Sequence, residues 1–437
     1  MNPELAEARS LVDSGDPQGA MRVLRTVADG LPATELAPLV ERLARTVGFD
    51  DLAEAAAQLA SGPDGIGELY EYAYACIDRG ASQLAVPALR QALALSLDAP
   101  PRRRLFSRRS SVPTPRQVLL ELAVALEDGQ QHAEAVTVLQ QHDRLMADWP
   151  DRYLLVHNAV MDGRLDLARQ VFDGLGEPDQ DWREPADRIR RTLARAADAV
   201  PADTEDLRGW HYTLTGGLLT TLSPYGFRAG MTGRWAYLHD SFDSCRYGLE
   251  RLRAVLAATD RKPASVALLP DRGSQALGLA AARLLGLPAA PYRAGTPDVL
   301  VVAYDLNACE PELVAQLLER ADGEILFEHA TCWTDTPAVS ADICTLLAQV
   351  AVAPWESGVH VAEDGEPDQA SGDRRSAEQL ADAILAAGAE PDQGDGETPA
   401  DPEQALTAFA RRVDGSWLTG ARDRIRSAGP VRSSSFR

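Results

Sequence analysis

Three short segments carry residue types from which an anion site or an acid–base pair can be built. They are Asp271-Arg272-Gly273-Ser274, Asp305-Leu306-Asn307 and Glu328-His329-Ala330-Thr331. The first joins an apolar run, 265-SVALLP-270, to an Ala/Leu-rich stretch, 274-SQALGLAAARLLG-286. A strand end, a glycine and a helix N-terminus capped by Ser274 would offer backbone N–H groups and a positive dipole end to an anion. Arg272 adds a planar, always charged donor. Glu328, His329 and Asp335, near Cys332, contain the groups of an acid–base pair, but a single His after a strand is most often a hydrogen-bonded structural residue. His329 and Cys332 lack further ligands at metal spacing, so no metal is expected. Gly-x-Ser-x-Gly, His-Glu-x-x-His and Gly-x-Gly-x-x-Gly are absent. Lys262 is the single lysine, which rules out a lysine-dependent P-loop or Schiff base elsewhere in the chain. No catalytic residue is assigned and no cofactor is expected.

The elements needed to position these segments can be read from the periodicity. Helices are expected at 242–258, 274–286, 311–320 and 340–352. Strands are expected at 265–270, 298–305 and 324–330, with an extended piece at 289–293. Alternating helices and unbroken apolar strands predict a mainly parallel sheet covered on both faces. Ligands of such sheets sit at the carboxyl ends of the strands, where the three segments converge. Before this region, aromatic residues crowd between Trp210 and Tyr247. They fit a packed join between domains or a pocket wall, and 210-WHYTLTGGLLTTL-222 reads as neither clear helix nor clear strand.

The run 272-RGSQALGLAAARLLGLP-288 resembles the pyrophosphate-binding turn and helix of type I phosphoribosyltransferases. That resemblance implies a nucleotide or phosphorylated sugar as ligand, held by Asp271, Arg272, Gly273, Ser274, Asp305 and Asn307. The family's next signature is a strand ending in two acids, followed by a Thr- and Gly-containing loop. Here 299-VLVVAYDLNACEPE-312 has Ala303-Tyr304 in place of the acid pair and Glu310 at the start of the helix, where it would repel a phosphate. The resemblance therefore implies a fold kept with its transferase chemistry lost.

Upstream, a turn-then-helix pattern recurs five times, beginning at Gly15, Gly48, Gly80, Gly129 and Gly163. Ala follows five residues later in four of the units, and Gly129/Ala135 is one residue longer. Each unit reads as two amphipathic helices that cannot bury their apolar face alone, so the units must stack. This Gly-x-x-x-x-Ala step at near-constant period resembles the tetratricopeptide repeat, which implies a solenoid that binds a protein or peptide partner. Residues 182–200 read as one more helix capping it. Between the third and fourth units, 98-DAPPRRRLFSRRSSVPTPR-116 reads as an exposed basic loop. Arg102, Arg103, Arg104, Arg108 and Arg109 could hold an acidic or phosphate-bearing partner. The simpler reading is a solvated loop, or one docked on the chain's own acidic segment.

The net charge of −22 argues against general nucleic-acid or anionic-membrane affinity. Residues 356–403 hold 14 acids and two Arg, the composition of a flexible acidic linker. A final helix at 404–425 with a basic tail could dock back on the chain or bind a partner through Trp417 and Leu418. Five separated Cys, no signal-like apolar N-terminal core and no long apolar run predict a cytoplasmic protein without a membrane span. The expected organisation is a helical-repeat domain over 1–200, an α/β domain over 205–355, the linker over 356–403 and the helix and tail over 404–437. The fold class is therefore α and α/β. The leading functional expectation is a non-catalytic interaction protein; the alternative is an enzyme or sensor for a phosphorylated small molecule.

Overall fold

The computed structural model describes residues 2–62, 65–98, 112–361, 367–370, 372–422, 424 and 429–434. Arg102, Arg103, Arg104, Arg108 and Arg109 of the basic loop lie outside the described residues. The chain divides into two compact units, Met1–Arg183 and Glu184–Arg437.

The first unit is helical. Its hairpins pair α1 (Pro3–Asp13) with α2 (Pro17–Val27), α3 (Ala33–Val47) with α4 (Asp50–Ser61), and α5 (Ile66–Asp78) with α6 (Ser82–Asp98). They continue with α7 (Pro115–Asp128) against α8 (His132–Gln141) and α9 (Tyr153–Met161) against α10 (Leu165–Asp173). Local signals set the helix starts. Asn2, Asp16 and Thr114 cap α1, α2 and α7 with their side chains, and each of those helices has Pro in its first turn. Each hairpin turns through one left-handed residue: Gly15, Gly48, Gly80, Gln130 and Gly163. The fourth is informative. Gly129 is not left-handed there; Gln130 is, at φ 56°. Counted from the left-handed residue, the interval to Ala20, Ala53, Ala85, Ala135 and Ala168 is five in every hairpin. All five alanines are buried, which lets the helices approach closely. The longer fourth unit is thus a displaced glycine, not a different turn.

The second unit is α/β. It opens with α11 (Arg183–Ala199), α12 (Leu207–Thr215), β1 (Leu218–Leu219), β2 (Trp235–His239) and α13 (Phe242–Ala258). Then come β3 (Ser265–Leu268), α14 (Arg272–Leu285), β4 (Ala289–Pro291), β5 (Val299–Ala303), α15 (Pro311–Gln316), β6 (Ile325–Cys332) and β7 (Ile343–Val352). A small antiparallel pair, β8 (Gly358–Val361) and β9 (Pro367–Ala370), precedes α16 (Ala377–Ala386) and α17 (Glu403–Val413). The main sheet has seven strands in the order β1-β7-β6-β5-β3-β4, and β2 also pairs with β7. Every pairing in it is parallel. β1 and β2 lie in tandem along one edge, meeting the start and the end of β7.

Strand alternation divides the core. On β5, Leu300 and Val302 join the cluster formed with α13, α14, α16 and α17, while Val299, Val301 and Ala303 join a smaller cluster with Val314 and Leu317. Residues 210–222 split into the end of α12 and β1. The helix expected at 340–352 is instead the ten-residue strand β7. Its residues Ile343–Ala348 are buried without a break, and a run buried on both faces carries no period that separates strand from helix.

The end of the chain packs into this unit. α16 lies on α14 and α13, and α17 lies on α13. Asp401, within the segment expected as an acidic linker, accepts hydrogen bonds from Arg208 at 2.9 Å and Arg251 at 2.8 Å. Arg422 is buried against Asp342 at 2.7 Å and Glu324 at 2.6 Å. Trp417 is buried in the main core and donates its indole N–H to the Asp342 carbonyl at 3.1 Å, so it serves the chain's own packing. Among the described residues no helix is long and apolar enough to cross a membrane.

Candidate functional site

The carboxyl ends of β3, β5 and β6 bring the three chemistry-bearing segments together. The first turn of α14 is capped by Asp271, whose Oδ1 accepts the Ser274 N–H at 2.7 Å. The expected cap, Ser274, is itself buried, and its Oγ accepts the Tyr304 N–H at 3.0 Å, tying α14 to the end of β5. The Asp271 carboxylate at the strand end reaches the N–H three residues on, which leaves the Ser274 hydroxyl for this inter-element bond. Arg272 donates to the carbonyls of Asp373 at 2.8 Å and Trp355 at 3.3 Å. Gly273 lies beneath the Trp355 ring, so close that a Cβ there would sit 3.0 Å from it. Asp305 caps its own turn by accepting the Asn307 N–H at 2.8 Å, and the Asn307 amide donates to the Asp335 carbonyl at 2.7 Å. The Cys309 thiol donates to Asp271 Oδ2 at 3.5 Å.

The electrostatics of this edge are acidic. Burial raises the Asp305 carboxyl above its ordinary value, and the charges of Glu356 and Asp271 add to the rise. Glu328, fully buried, is pushed up to about 8 by burial and then by Asp305. It accepts the Leu306 N–H at 2.7 Å and the Thr331 hydroxyl. The Cys309 thiol is pushed up to about 12, first by burial and then by Asp271. At neutral pH this edge therefore holds a protonated Glu328 and a thiol rather than a thiolate, which suits hydrogen bonding and not nucleophilic attack.

His329 points to the opposite face of β6 from Glu328, as strand alternation requires. There it donates Nε2–H to Asp240 Oδ2 at 3.0 Å. The same oxygen accepts the Tyr304 hydroxyl at 2.9 Å and the Cys245 thiol at 3.4 Å. Asp240, Cys245 and His329 are buried, and one donor atom from each lies within 4.8 Å of the others. Burial alone raises the Asp240 carboxyl, but His329 and the converging hydrogen bonds hold it below its ordinary value. His329 Nδ1 faces Gly248 of α13, where a Cβ would sit 2.8 Å away. Asp240 Oδ2 gathers the hydrogen bonds of this centre, while Asp240 Oδ1 and His329 Nδ1 are buried without a partner among the described residues, and helix α13 covers it. Its chemistry is that of a polar pin joining β2, β5, β6 and α13. Cys332 lies apart from it, accepting the Asp335 N–H at 3.3 Å.

Asp271, Arg272, Ser274, Asp305, Glu328 and His329 stand at the strand ends where the periodicity places them, while Asp240, Cys245 and the Trp355 cover join them from outside that pattern. Asp240 follows β2, a strand whose partner lies more than a hundred residues later, and no local pattern signals that pairing. No family model matches the chain, and comparisons with curated proteins and with solved structures find no match.

Proposed function

We propose that this chain is a non-catalytic interaction protein whose helical unit, tetratricopeptide-like in its step, binds a linear segment of a protein partner. The observation that supports this most is the single phase of the five hairpins: one left-handed turn residue and one buried alanine five residues later, in each. Stacked hairpins of this kind leave one row of helices to meet a partner. On α5, Tyr70 and Tyr74 stack with ring centroids 6.5 Å apart, and Tyr74 is 53% exposed. Tyr70 donates its hydroxyl to Glu121 of α7 at 3.4 Å, joining the first helices of two neighbouring hairpins. A rigid aromatic pair beside a carboxylate suits an apolar anchor next to a basic residue.

This reading is favoured over a phosphorylated sugar or nucleotide at Asp271–Ser274. There Asp271 occupies the helix cap, Arg272 is turned to two carbonyls, and Trp355 lies over Gly273. Carboxylates at a helix N-terminus compete with a phosphate for the same dipole. The test is a peptide array probed with the full chain. Sequence-selective spots that weaken in Tyr70→Ala/Tyr74→Ala support the reading. No selective spots, together with a thermal shift on adding phosphoribosyl pyrophosphate that Arg272→Ala abolishes, would replace it with the second.

A further inference from the structure

The second unit encloses a cation that faces no carboxylate among the described residues. Arg234, immediately before β2, is 3% exposed. Its Nη1 donates to the Val431 carbonyl at 2.9 Å and lies 3.5 Å from the Thr232 hydroxyl. Its Nε is buried and has no hydrogen-bond partner among the described residues. The guanidinium lies over the Trp333 ring, 5.3 Å from the centroid. Burial draws Arg234 down to about 10. Elsewhere in this unit the buried arginines facing carboxylates are satisfied, as Arg251 is by Asp401 and Arg422 by Asp342. Arg234 is the contrast, and an unbalanced buried charge is costly to keep.

Arg234 lines a cavity of about 60 Å³ between α12 and the β6–β7 connection. Leu214, Pro337 and Leu347 give it apolar walls, and His211 stands beside the guanidinium. Burial, then the charge of Arg234, holds His211 down to about 4, so it is a neutral imidazole able to donate one hydrogen bond. A buried cation with an unpartnered Nε, a neutral histidine and an apolar chamber together select a ligand with one negative end and an apolar body.

We infer that this cavity is a binding site for a short-chain aliphatic carboxylate, with its carboxylate on Arg234 and its alkyl chain among Leu214, Pro337 and Leu347. Carboxylate matches the planar guanidinium in two-pronged fashion. A cavity of this size takes about four to six water-sized units, the bulk of acetate to butyrate. Inorganic phosphate fits the charge but not the apolar walls. The site is independent of the helical unit, so the Tyr70/Tyr74 variant should retain it.

The experiment is isothermal titration of the full chain with sodium butyrate, with butyramide and inorganic phosphate run in parallel. Expected is saturable one-site binding of butyrate, with none of butyramide or phosphate. Arg234→Met should weaken it at least about thirtyfold, the loss that follows removal of a desolvated charge partner. Leu347→Phe fills the cavity from one of its apolar walls without replacing the guanidinium and should also abolish binding, which decides the matter if Arg234→Met fails to fold. The inference is overturned if butyrate does not saturate, if butyramide or phosphate binds as well as butyrate, or if Leu347→Phe binds like the parent.

Discussion

Arg422 donates Nη2 to Asp342 Oδ2 at 2.7 Å, with both side chains almost wholly buried. Arg422 also reaches Glu324 and the Leu317 carbonyl, so one residue from the end of the chain closes the base of β6 and β7. Removing it leaves two buried carboxylates, of which only Asp342 keeps a second partner, Arg320. Arg422→Met should therefore destabilise the α/β unit by about 3–5 kcal/mol. Urea unfolding followed by tryptophan fluorescence measures it, and a loss under about 1 kcal/mol would remove Arg422 from the core's essential contacts.

Acid should unfold the α/β unit through two carboxylates. Asp342 is held below its ordinary value: burial opposes this, but Arg422 and Arg320 outweigh it. Asp240 is lowered in the same sense by His329. A group depressed in the folded state contributes stability that is present above its unfolded pKa, about 3.9, and is lost as pH falls through the folded value. Stability measured by circular dichroism should thus hold above about pH 4 and fall below it. Asp342→Asn should flatten that fall.

Glu328 has the opposite sign. Its folded value of about 8 lies above the ordinary range, so its contribution is full below the unfolded pKa of about 4.3 and is lost as pH rises toward 8. Thermal unfolding between pH 5 and 8.5 should show a falling limb that Glu328→Gln removes. An unchanged limb in the variant would assign the slope to another group.

Gln130 spends backbone energy that its counterparts do not, because it alone among the five turn residues is not glycine. Gln130→Gly should stabilise the helical unit by about 0.5–1 kcal/mol. A shift of the denaturation midpoint upward checks it.

Gly248 is needed for space. A Cβ there would lie 2.8 Å from His329 Nδ1 and 2.9 Å from Thr345 Cγ2. Gly248→Ala should push α13 from the sheet and cost about 1–3 kcal/mol. The His329 ring resonances should shift in the same variant; a stable protein with unmoved resonances would show that α13 can slide.

Much of this was legible in the sequence. The apolar runs of β3, β5 and β6 and the helix after Asp271 carry strong local signals, and the fold class follows from their alternation. The hairpin phase was also visible, except at Gln130, because glycine marks a left-handed turn only where the turn uses it. The rest depends on long-range pairing. Nothing near residue 343 says that Ile343–Val352 lies in the middle of a sheet, and nothing near Asp240 says that His329 is its partner. Asp401 looked like one acid among many, since a charge in a polar segment carries no mark of the two arginines it will meet. Arg234 was equally silent, because what distinguishes it is the lack of a carboxylate partner among the described residues.

The position of Asp401 bears on how the chain is made. Arg208 waits 193 residues for that carboxylate, and Arg251 waits 150. Trp417 and Arg422 follow later still. During synthesis the two helices of each hairpin can pair as they emerge, since they are adjacent in sequence. The α/β unit has no such option: α12 holds Arg208 without its carboxylate partner until Asp401 has been made.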